Sequence, residues 1–122
     1  MLIDDNIDYS QEIASGVATT EVKPEASRFN EGKPRYSLIS LSCLEPLVRG
    51  LEYGETKYTR NNWKKGMPQT KILDSLLRHV TALLEGHMVD EESGLPHISL
   101  IQCNAMFLGN PNNTKDLESP HE

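Results

Sequence analysis

The residues of this chain that can do chemistry gather in a few short stretches. Glu52 and Glu55 have E-x-x-E spacing, which on a helix sets two carboxylates about 60° apart, close enough to share a hard, oxygen-preferring cation such as Mg2+. The same spacing also occurs on solvated helix faces. Asp74, Arg78, Thr81 and Glu85 form a stripe on a later helix, which reads as a solvated face with an i,i+4 ion pair between Asp74 and Arg78. Asp90, Glu91 and Glu92 crowd together just before Ser93 and Gly94, either as a solvated charge run or as further ligands.

Between these acids runs KYTRNNWKKGMPQT, where Lys57, Arg60, Lys64 and Lys65 are interleaved with Tyr58, Asn61, Asn62 and the single tryptophan, Trp63. Rings stack bases, ammonium and guanidinium groups meet phosphates, and an amide can read a base edge, so this mixture suits a nucleotide. A structural tryptophan plugging a helix junction is the alternative. Upstream, Lys33 and Arg35 alternate with Gly32 and Pro34 in NEGKPR, an ordinary loop or one whose amides and cations grip phosphate. Two polar residues, His97 and Asn104, lie seven apart on one line of an otherwise apolar segment. Unpaired, such buried groups cost roughly 1–3 kcal/mol each, so they need partners. His79 stands at the rim of an apolar arc, beside Ile72, Leu76 and Leu83, and reads by itself as a satisfied core histidine.

Three helices must position these groups. Ser42 with Glu45 has capping-box spacing and predicts a helix from Ser42, with Pro46 in its first turn and Leu44, Leu47, Val48 and Leu51 inward. Ile72, Leu73, Leu76, Leu77, Val80, Leu83 and Leu84 recur at helical spacing over an arc of roughly 140°, and Gly86 supplies a stop. A third helix starts near Pro96 and is apolar nearly all round, which predicts that it is buried. The expected fold is all-α: a small bundle of three to four main helices over residues 30–109. An acidic arm, residues 1–29, precedes it, with a short helical piece at Tyr9–Val17, and a polar tail, residues 110–122, follows; both ends read as flexible. So small a core, with so apolar a last helix, predicts a homo-oligomer.

With 122 residues and a mean hydropathy of −0.50, the chain holds one domain with a modest core. It has no run of the ~20 apolar residues that a membrane span needs, and its start is acidic, so the reading is an intracellular, cytoplasmic protein. The net charge of −6 divides as −4 in residues 1–30, −2 in residues 110–122 and zero between, where nine acids meet nine bases. That distribution argues against a DNA-binding surface. Cys43 and Cys103 lie among apolar neighbours and read as reduced, buried thiols.

Taken in order, GKPR, EYGETKY, NNW, LDSLLRH, EGHMVDEESGLPH and the following asparagine-bearing apolar helix resemble the phage dATP/dGTP diphosphohydrolase family, related to the all-α MazG-like nucleoside triphosphate pyrophosphohydrolases. The resemblance implies Mg2+-dependent cleavage of purine deoxynucleoside triphosphates to monophosphate and pyrophosphate. It implies Glu52 and Asp74 as metal ligands, joined by Asp90 and Glu92, with Glu55 and Glu85 as further ligands or general bases. Substrate would meet Lys33, Arg35, Lys57, Tyr58, Asn62, Trp63, Arg78, His79, Ser93, His97 and Asn104. Phage origin would place the protein in the host cytoplasm. The second E-x-x-D of MazG-like enzymes has no counterpart here. A non-catalytic protein that sequesters a cyclic or linear nucleotide signal of anti-phage defence is therefore the alternative.

Overall fold

A computed structural model describes residues 24–117, and the helical piece expected at Tyr9–Val17 lies outside them. The chain divides into two units, residues 1–42 and 43–122. Within the first, Gly32 turns the chain with φ +78°, and a single 3-10 turn, Tyr36–Leu38, exposes Tyr36. Lys33 and Arg35 are exposed there.

The second unit is all-α, with no strand among the described residues. A 3-10 turn at Ser42–Leu44 leads into α1, Glu45–Lys57. The helix starts three residues later than the capping-box spacing predicts. The Ser42 hydroxyl pairs with that of Ser40 at 3.0 Å, and Pro46, which lacks an N–H, falls in the first turn of the observed helix. A second 3-10 turn, Asn62–Lys65, separates α1 from α2, Gln69–Leu84. Its N-cap, Asn61, adopts the left-handed conformation (φ 64°) that asparagine tolerates. Gly66, at φ +95°, closes the turn where a Cβ would run into the backbone carbonyl of Asn112.

After α2 the loop 85–96 is braced by a bridge between Val89 and Pro96, and α3 follows at His97–Leu108. This last helix is central, with α1 and α2 each packed on it and few contacts between them. The approach of α1 is close because Gly50 is buried against α3: a Cβ there would stand 2.5 Å from Cys103 Sγ and 3.2 Å from the Ser99 carbonyl oxygen. On α2, Ile72 is the most buried apolar residue, at 2% exposure.

The expectation that α3 is buried throughout is corrected. Its most buried residues are His97, Ser99, Cys103 and Asn104, while Ile98 and Ala105 are exposed, because two neighbours cover only part of its circumference. Of the two thiols only Cys103 is buried; Cys43 is exposed, and neither forms a disulfide.

Residues 110–116, read as part of a tail, are hydrogen-bonded back onto the junction between α1 and α2. Asn113 is buried, donating to the Phe107 carbonyl and accepting from the Met67 N–H. Asn110 and Asn112 donate to the carbonyls of Trp63 and Lys64, and Asp116 accepts from the Thr70 N–H and hydroxyl.

Candidate functional site

Because α1 and α2 both lean on α3 without closing on each other, a cleft of about 760 Å3 opens between them with α3 at its floor. Each wall has its own chemistry. From α1 come Tyr53, Glu55 and Lys57; from the connecting stretch Tyr58, Arg60, Asn62, Trp63 and Lys64; from α2 Lys71, Ser75 and His79. The floor offers Leu100, Asn104 and Phe107, and the loop before α3 brings Asp90, Glu92 and Ser93.

Trp63 is half-buried and stacks on Phe107, with ring centroids 5.4 Å apart at 28°. Lys64 Nζ lies 5.7 Å from the Trp63 centroid, so one end of the cleft pairs an aromatic surface with a cation. At the other end, Lys57 Nζ donates to Glu92 Oε1 at 2.7 Å and lies over the Tyr53 ring. Glu92 foremost, then Tyr53, raise the Lys57 pKa, so this cation stays charged at any physiological pH. Arg60 faces Glu55 at 3.9 Å.

The two polar residues of α3 have found their partners on α2. Asn104 Nδ2 donates to Ser75 Oγ at 3.1 Å and to the Leu100 carbonyl at 2.9 Å. His97 Nδ1 meets His79 Nδ1 at 2.8 Å. Residues rise along α3 as they fall along α2, so the helices run antiparallel. Behind them Ser99, 1% exposed, has a hydroxyl that finds no partner.

Beside the histidine pair stands Asp90, whose Oδ2 accepts from both the Ser93 N–H and hydroxyl, at 2.9 and 2.7 Å. Burial works to raise the Asp90 pKa, but the Ser93 hydrogen bonds and the nearby His79 and His97 rings outweigh it, and the net shift is downward. The His79 pKa is lowered chiefly by burial, with Asp90 opposing, which favours a neutral ring. His79, Asp90 and His97 each present a ligand atom within 4.8 Å of the others, a group able to hold a metal ion.

Of the residues singled out in the sequence, Glu55, Lys57, Tyr58, Asn62, Trp63, His79, Asp90, Glu92, Ser93 and Asn104 line this cleft, and His97 stands behind His79. Asp74, Arg78 and Glu85 line a separate shallow depression on α2 together with Leu77, Thr81 and Ala82. Glu52 is exposed and paired with Arg49 at 3.0 Å. Lys33 and Arg35 belong to the first unit. Lys71 and Ser75 were not apparent from sequence; Ser75 lies one turn before His79, on the same side of α2, and that spacing is the signal that could have found it.

The family model for the N-terminal part of dATP/dGTP diphosphohydrolase matches residues 23–119. The chain belongs to this family. Among curated proteins, the dATP/dGTP diphosphohydrolase of Salmonella phage PMBT28 is 37% identical over 81 residues, which cover 66% of this chain and 28% of that protein. The chain thus spans under a third of its relative's length. No solved structure matches. The diphosphohydrolase match runs through every element that lines the cleft, from α1 to α3, and on through the Asn113 segment.

Proposed function

We propose that the cleft binds a purine deoxynucleoside triphosphate and that the protein adds water across the bond between its α and β phosphates, releasing monophosphate and pyrophosphate. What carries this reading is the meeting of an aromatic end, four cations and three carboxylates in one cleft of a dATP/dGTP diphosphohydrolase family member. Trp63 would stack the base, and Lys57, Arg60, Lys64 and Lys71 would meet the phosphates. The divalent cation of the reading is Mg2+. It commonly binds through one or two carboxylates and the substrate's own phosphates, and Glu92 on the loop wall of the cleft fits that requirement. When bound, it would neutralise phosphate charge and lower the pKa of a coordinated water. Glu92 would have to release Lys57 to take part, freeing that ammonium for the leaving pyrophosphate. Glu55 is the remaining cleft carboxylate and the candidate general base.

A second reading, retention of a nucleotide without hydrolysis, gains support from the positions of Glu52 and Asp74. Neither is in the cleft, so the carboxylate set expected from sequence does not assemble around one pocket. We propose further that the protein works as a homo-oligomer, in which a second copy could bring Asp74, Arg78 and Glu85 to a shared site.

Incubating the protein with dATP, dGTP, ATP and cyclic dinucleotides, with and without Mg2+, separates the readings. Hydrolysis predicts monophosphate and pyrophosphate only with metal, with Trp63→Ala raising KM about tenfold or more, the equivalent of one stacked base at ~1–3 kcal/mol. Full recovery of every nucleotide, with one released only on denaturation, would establish retention instead.

A further inference from the structure

We infer that His79, Asp90 and His97 form a resident site for a divalent transition-metal ion, distinct in chemistry from the Mg2+ that a nucleotide would carry. Two imidazole nitrogens and one carboxylate oxygen make a donor set that Mg2+ does not favour and that Zn2+, Fe2+ and Co2+ do. The inference concerns the same wall of the cleft as the reading above. It rests on that reading only for what the ion would be used for.

The geometry is that of a site rather than of a chance contact. The two rings turn the same nitrogen, Nδ1, toward each other at 2.8 Å. Nitrogens bound at ~2.0–2.1 Å to one tetrahedral ion stand about 3.3 Å apart, so the pair needs to open by only about half an ångström. Asp90 spends both Ser93 hydrogen bonds on Oδ2, and Oδ1 takes neither of them. Those two bonds orient the carboxylate as an outer-shell partner orients a ligand.

The backbone fixes the ligands independently of the side chains. The Asp90 N–H donates to the Leu95 carbonyl, the Gly94 N–H to the Asp90 carbonyl and the His97 N–H to the Met88 carbonyl, all at 2.8 Å. Asp90, on the braced loop, and His97, at the start of α3, are thereby held in place, and α2 supplies His79 across from them. An ion here would tie α2, the loop and the start of α3 together. His97 is buried, whereas His79 and Asp90 line the cleft, so the ion's remaining positions would open toward the cleft, where water or a phosphate oxygen can enter.

Nucleotide-free, chelator-treated protein titrated with Co2+ tests this directly. We expect ligand-field bands that saturate at one ion per chain and persist in a large excess of Mg2+. One equivalent of Zn2+ should move the ring resonances of His79 and His97 while those of the other two of the four histidines stay in place, and should raise the Tm by about 10 °C at a hundredfold excess over Kd. His79→Gln and Asp90→Asn should each weaken binding at least tenfold while keeping their helical circular dichroism. Absence of bands, displacement by Mg2+, movement of all histidine signals or none, or undiminished binding in both folded variants would overturn the inference. The nucleotide reading can fail without touching any of these readouts, and Co2+ binding can fail while Mg2+-dependent hydrolysis persists.

Discussion

Cys103 sits where α1 crosses α3, 4% exposed beneath Gly50, with its Sγ donating weakly to the Leu47 carbonyl at 3.5 Å. Burial pushes the thiol pKa up from 9.0 to about 11. A raised folded-state pKa means that the group favours the fold fully below pH 9 and that this contribution is lost as pH rises from 9 to 11. In that window the unfolded chain has given up a proton that the native protein still holds. The loss should reach about 2–3 kcal/mol at most, and urea unfolding of wild type should therefore fall more steeply with pH than that of Cys103→Ala. Parallel curves would show that the thiol is not desolvated as described. Exposed Cys43 should alkylate readily in the native protein at pH 8, and Cys103 only on unfolding. At this scale, sequence gave the need but not the answer: His97 and Asn104 were legible as polar groups requiring partners. That the partners are His79 and Ser75 depends on the antiparallel register of two helices, which periodicity does not encode.

The elements themselves were legible where the hydrophobic period was sustained. The α2 arc and its glycine stop, and the start of α3 after Pro96, follow from spacing alone. The segment after Leu108 was not legible, because asparagines that dock through amide hydrogen bonds look the same in sequence as asparagines in a solvated tail. Asn113 shows what that segment does: its amide satisfies the Phe107 carbonyl at the end of α3 and the Met67 N–H just before α2. Asn113→Ala leaves two backbone groups without those partners, at about 1–3 kcal/mol for each that water cannot reach. We expect a Tm lower by about 10 °C and a weakened aromatic end of the cleft, since Asn110 and Asn112 hold the carbonyls of Trp63 and Lys64 from the same segment. An unchanged Tm in Asn113→Ala, measured by circular dichroism, would mean that the segment merely lies on the surface.

For the whole molecule, the question is what covers the apolar surface that three helices leave open. Among the described residues only Ile72 and Cys103 are buried apolar side chains. On α2, contact with α3 falls at one edge of the apolar arc, around Ile72, Ser75 and His79. The opposite edge, Leu77 at 59% and Leu84 at 83% exposure, faces outward. Those two leucines are seven residues apart and fall on one line of the helix, as a helix-pairing seam does. No helix among the described residues is long and apolar enough to cross a membrane, so a bilayer-spanning α2 is not the explanation. The occupant that needs no further component is α2 of a second copy, whose own Leu77 and Leu84 would meet it about a twofold axis. Burying roughly 100 Å2 of leucine surface per residue at ~25 cal/mol/Å2 gives about 2.5 kcal/mol each, so replacing both should shift association by orders of magnitude. Sedimentation equilibrium of the wild type should therefore give a dimer or larger at micromolar concentration, and Leu77→Lys with Leu84→Lys a folded monomer. The shallow depression of Asp74, Arg78 and Glu85 adjoins this seam through Leu77, so the double variant also tests whether those residues act across the interface. Loss of nucleotide turnover together with association would place them in a shared site, whereas a monomer that keeps full turnover would confine the chemistry to one chain's cleft.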